Sequence, residues 1–89
     1  RRLEEILARD PHHELAQFQL GEVARMRYQW DEARTHYERT LEIIAAKEKA
    51  LQAAYGTQVS LAQLGELRSQ AERLRGLRAQ VEAMLREIP

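Results

Sequence analysis

Residues able to do chemistry are few in this chain, and their spacing assembles no reaction centre. Asp10 with the adjacent pair His12-His13 comes nearest to a metal site. Neighbouring histidines on a helix point in different directions, however, so the group reads as a solvated interhelix loop. His36 stands beside an apolar stripe and reads as a surface residue. There is no serine or cysteine nucleophile with a matching base, no phosphate-binding glycine loop and no pair of histidines at i, i+4. The expectation is therefore a chain with no catalytic, cofactor-binding or metal-binding residues, and not an enzyme. Arg68, Arg73, Arg75 and Arg78 make one locally basic stretch. Glu66 and Glu72 interleave with it and Glu82 and Glu87 follow, as on the solvated flank of a helix.

Composition narrows the partner classes. Lysine plus arginine and aspartate plus glutamate number 14 each, a formal net charge of zero, so no global field draws in nucleic acid or anionic lipid. Cysteine is absent, which excludes disulfides and thiolate metal sites but leaves the compartment open, with the cytoplasm favoured. The longest aliphatic run, Ile43-Ile44-Ala45-Ala46, is far short of the ~20 apolar residues that span a bilayer. A soluble chain without membrane insertion is expected. The opening RRLEEILARD lacks an initiator methionine and a signal-peptide pattern and already reads as the middle of an amphipathic helix, as in a trimmed fragment.

These residues must be positioned by helices. Two prolines and four glycines in 89 residues, with leucine, alanine, glutamate, arginine and glutamine abundant, favour an all-α chain, and nothing alternates like a strand. Leu3, Ile6 and Leu7 mark a first helix ending at Asp10-Pro11. A second starts near His13 or Glu14 and runs to about Arg27, with two stripes. Ala16, Leu20, Val23 and Ala24 share one face; Leu15, Phe18, Glu22 and Met26 lie on another. Gly21 costs about 1 kcal/mol relative to alanine inside a helix, and close approach of a neighbouring helix is the usual reason for keeping it. Asp31 is the expected N-cap of a third helix whose inner stripe is Ala33, Tyr37, Thr40, Leu41, Ile44 and Leu51. A break is expected at 55–59, where Gly56 suits a C-cap and Ser60 with Gln63 matches a capping box. Beyond it Leu67, Leu74, Val81 and Ile88 recur every seven residues, with Leu77 and Met84 three after a member of that series. That is the seam of a coiled coil or of a capping helix.

Leu20-Gly21 followed by Ala33 and Tyr37, with Trp30-Asp31-Glu32-Ala33 at the turn and Leu41-Glu42 beyond, resembles the tetratricopeptide repeat family. The stretch Leu7-Ala8-Arg9-Asp10-Pro11-His12-His13 resembles the tail of a preceding repeat and its linker. The resemblance covers residues 1 to about 46. Gln17, Ala24, Thr40 and Ala45 depart from the family pattern, and the missing proline at 45 lets the third helix run on. The resemblance implies an antiparallel hairpin in an α-solenoid arrangement: a half repeat over 1–10, a full repeat over 13–54 with an extended second helix, and a capping or coiled-coil helix over 60–89.

The resemblance also implies a function. The first helix of each tetratricopeptide repeat lines the surface that holds partner segments, and the corresponding residues are Leu15, Phe18, Gln19, Glu22, Arg25 and Met26. Family members that grip a terminal carboxylate use lysine and asparagine on this face; Phe18 and Glu22 stand there instead, so that clamp is not expected. The final helix packing onto the same stripe would cover it. The reading is a non-catalytic scaffold for a protein or peptide partner. The alternative is homodimerisation through the seam Leu67, Leu74, Leu77, Val81, Met84 and Ile88.

Overall fold

A computed structural model describes residues 2–10, 12–57 and 59–89; expectations resting on Arg1, Pro11 or Gln58 lie outside the described residues. Among the described residues the chain is all-helical: α1 (Arg2–Arg9), α2 (Glu14–Met26), α3 (Trp30–Tyr55) and α4 (Leu61–Glu87), with no strand. No helix is long and apolar enough to cross a membrane.

Local chemistry sets the helix ends. His13 caps α2 through its ring, Nδ1 accepting the Ala16 amide at 3.1 Å. At the other end, the amides of Tyr28 and Gln29 donate to the carbonyls of Arg25 and Ala24 at 3.0 and 2.9 Å. That is a Schellman arrangement with Tyr28 in the left-handed position (φ 60°), where glycine is usual. The Tyr28 ring meets Trp30 edge-on with centroids 5.6 Å apart, which supports the unusual residue there. This compact turn returns the chain to helix sooner than expected. Gln29, without a side-chain cap bond, is the N-cap, and Asp31 falls inside the first turn, where its carboxylate complements the helix dipole. At the last break, Gly56 is the C-cap of α3, and Ser60 and Gln63 form the reciprocal capping box that starts α4.

Two antiparallel contacts build the core. Glu14 meets Lys47, Gln17 meets His36 and Phe18 meets Tyr37, so α2 and α3 run in opposite directions. At their crossing a Cβ on Gly21 would lie 2.6 and 2.7 Å from two Tyr37 ring carbons. Glycine is retained here because the aromatic ring occupies the side-chain position. Ala33 and Tyr37 are wholly buried, and Thr40, also buried, satisfies its hydroxyl by donating to the His36 carbonyl at 2.8 Å.

Helix α4 then covers α3. Arg78 pairs with Glu48, and Arg34 reaches the Pro89 carbonyl at 3.2 Å. Val81 and Ile88 join Ala24, Ala33 and Tyr37 in one apolar cluster; Leu74 joins Ile44 and Leu51 in another, with Leu67, Ala71 and Leu77 packed against it. The heptad seam is thus satisfied within the chain. Ile43, outside the expected stripe, is buried on the flank of α3 that also carries His36 and Lys47 toward α2. Helix α1 buries no residue completely; Leu3, Ile6 and Leu7 are half-buried.

Gly65 and Gly76 differ from Gly21, because a Cβ at either would meet nothing within 4 Å. Gly65→Ala and Gly76→Ala should each stabilise the fold by about 0.5–1 kcal/mol, through helix propensity alone. Urea unfolding of the two variants checks this.

Candidate functional site

Helix α2 is fixed to α3 by one face and presents the opposite one. Ala16, Gly21 and Ala24 are buried, whereas Leu15 is 47% and Met26 65% exposed, and Gln19 is exposed between them. Positions 15, 19, 22 and 26 follow helical spacing, so these side chains form one strip about 16 Å long. Large apolar groups left in water on a helix otherwise anchored by its glycine and alanines are the first feature to explain.

The six residues expected to hold a partner separate into three environments. Leu15, Gln19 and Met26 stand free. Phe18 is half-buried: its ring lies 5.8 Å from that of Tyr37 and packs against the cluster that α4 completes. The stripe is therefore partly covered at Phe18 and open at Leu15, Gln19 and Met26. Glu22 and Arg25 belong to a polar group at the edge. Arg25 Nη2 donates to Glu22 Oε2 at 3.1 Å, and the Tyr37 hydroxyl donates to the other carboxylate oxygen.

The three groups shift one another's proton affinities. Burial favours the neutral acid of Glu22, but hydrogen bonds from Arg25 and Tyr37 outweigh it and hold the carboxyl below its usual range. Burial, followed by the Glu22 hydrogen bond, pushes the Tyr37 hydroxyl up to about 12, and the Glu22 carboxylate raises Arg25 further above its ordinary value. A buried ring thus sets its hydroxyl against Glu22 and ties the edge of the exposed strip to the helix crossing. At the N-terminal end of α2 the Lys47 ammonium, 2.5 Å from Glu14, does the same for that end of the hairpin.

A groove of about 810 Å³ opens where the N-terminal part of α2 diverges from α4. Leu15 stands at its α2 wall beside Glu14; Lys47, Ala50 and Leu51 come from α3, and Gln70, Arg73, Leu74, Leu77 and Gln80 from α4. Of the expected partner-binding residues only Leu15 lines it. Two seam residues, Leu74 and Leu77, contribute to its floor as well as to the core. Sequence reasoning did not find this groove, because its lining comes from three helices that share no sequence motif. Among the described residues, His13 and His36 are engaged by Ala16 and Gln17, and no three His, Cys, Asp or Glu side chains converge.

The Glu22 group predicts an acid dependence. A carboxylate held below its unfolded pKa contributes stability that is present above that unfolded value, near 4.5, and is lost as pH falls through the folded value. Glu22→Gln should be less stable than the parent by about 1 kcal/mol at pH 7. The gap should close as pH falls below that range, as measured by urea unfolding across acidic pH.

No family model matches the chain, and no curated protein or solved structure shows significant similarity to it.

Proposed function

We propose that the chain is a non-catalytic protein-interaction scaffold of tetratricopeptide type, holding a partner segment along α2 and into the groove beside it. The observation that carries this reading is Leu15, 47% exposed at the lip of a groove floored by Leu51, Leu74 and Leu77. Gln19 and Met26 continue the same exposed strip. A segment lying there covers two large apolar side chains and finds polar partners in Gln19, Glu22 and Arg25. The strip is already ordered by the Gly21 crossing, so little conformational entropy is lost on the scaffold side when a partner binds. The spacing from Leu20-Gly21 to Ala33 and Tyr37 supports the family reading, and Gly21 meets the Tyr37 ring while Ala33 shares its cluster.

Homodimerisation through the seam is the rival reading. Leu74, Val81 and Ile88 are buried against α2 and α3, so a dimer using that seam requires α4 to leave its own chain. A monomer by light scattering at high micromolar concentration favours the scaffold reading; a dimer favours the rival. Val81→Asp does not separate them, because Val81 is wholly buried and a charge there destabilises the fold itself.

Phe18→Asp is likewise a poor test, since the ring is part of the core. Leu15→Asp with Met26→Asp alters exposed groups alone. Peptides selected from a display library against the immobilised chain should bind this double variant at least ~10-fold more weakly, with helicity and urea midpoint unchanged. Undiminished binding would argue against the α2 strip.

A further inference from the structure

A second groove, of about 780 Å³, runs along the other side of the α3–α4 seam, away from the α2 strip. One wall is Ala45, Glu48, Gln52 and Tyr55 of α3; the facing wall is Arg68, Ala71, Arg75 and Arg78 of α4. Each set follows i, i+3, i+7, i+10, so both helices turn one continuous face into the groove. Lys49, Leu51 and Glu72 complete the lining.

Its charge is unlike that of the whole chain. Lys49, Arg68, Arg75 and Arg78 face Glu48 and Glu72, an excess of two positive charges in a protein whose formal net charge is zero. Arg78 pairs with Glu48, whereas among the described residues no carboxylate lies within 4 Å of Lys49, Arg68 or Arg75. Arg68 and Arg75 sit two helical turns apart, about 10.5 Å, on the same face. That separation matches carboxylates two turns apart on a helix. Ala45 and Ala71 give the groove apolar ground among its charged groups, and the Tyr55 ring is 42% exposed at one end.

We infer that this groove is a second docking surface, for an acidic, amphipathic peptide segment of a partner protein. Its carboxylates pair with Arg68 and Arg75, and its apolar side chains lie on Ala71 and Tyr55. Guanidinium groups suit this role, because each can hold a carboxylate by two parallel hydrogen bonds. A nucleic-acid backbone fits less well: three free cations are few beside the 6–10 phosphate contacts of ordinary duplex binders, and Glu48 and Glu72 interrupt the track. The inference is independent of the α2 strip, which lies on a different surface.

The test uses the whole chain and a fluorescein-labelled peptide of repeated Glu-Glu-Leu triplets, about twelve residues long, read by fluorescence anisotropy. Binding should weaken about 10-fold between low and physiological salt. Arg68→Glu with Arg75→Glu should weaken it at least ~30-fold, while Arg68→Lys with Arg75→Lys should lose only a few-fold. Leu15→Asp with Met26→Asp should leave it unchanged. Both arginines are exposed, and the lysine pair provides a second variant whose fold is not at issue. Equal binding by the charge-reversed variant overturns the inference. So does equally tight binding of an oligothymidylate of matched charge, which would mark an unselective polyanion site. Loss of binding in the Leu15/Met26 variant would place the peptide on α2 and also overturn it.

Discussion

The ring of Tyr37 rests on the Cα of Gly21, in the space a side chain would otherwise fill. This contact brings α2 and α3 close enough for Ala24 and Ala33 to share a cluster, and it carries the Tyr37 hydroxyl out to Glu22 and Arg25 at the edge of the exposed strip. Helix α4 adds Val81 and Ile88 to the cluster around the same ring. Core and surface therefore meet at one residue. If the ring were displaced, the hairpin would open and both the strip on α2 and the seat for the C-terminal half of α4 would lose their support.

A chain this small has few apolar faces and must decide where each is buried. The inner face of α2 goes to α3, and the rest of α3's apolar surface goes to the heptad face of α4. What remains unburied includes Leu15 and Met26 on α2, Tyr28 at the turn, Leu61 at the start of α4, and Tyr55 beside Arg68 and Arg75. The two grooves flank the α3–α4 seam and share Leu51 and Glu72 in their linings. Leu51 itself is packed with Ile44 and Leu74, so the floor common to both is rigid core. Binding in one groove need not reshape the other.

Much of this organisation was legible in the residues. The interval from Gly21 to Tyr37 announces a close helix crossing, because a mid-helix glycine needs a neighbour to justify it. The heptad from Leu67 to Ile88 announces a helix with one buried face, and Ser60 with Gln63 announces where that helix starts. The seam's partner was not legible, since leucines at that spacing suit α3 and a second chain equally. The partial burial of Phe18 was not legible for a related reason: periodicity gives the direction of a side chain but not how far a neighbour covers it. The Asp31 cap failed because a left-handed tyrosine at position 28 shortens the turn, and tyrosine rarely announces that conformation. Ion pairs such as Glu14 with Lys47 join residues 33 apart and leave no local trace.

The Gly21–Tyr37 contact can be tested by reversing a sign. In the parent chain, Gly21→Ala should destabilise the fold by about 1 kcal/mol, the overpacking against the ring exceeding the ~1 kcal/mol gained in helix propensity. With Tyr37→Leu already in place the collision is gone, and the same Gly21→Ala change should instead stabilise by about 0.5–1 kcal/mol. Urea unfolding of the four proteins measures both. A cost for Gly21→Ala that is the same in the two backgrounds would contradict the account, since it would mean that the ring is not what the glycine accommodates.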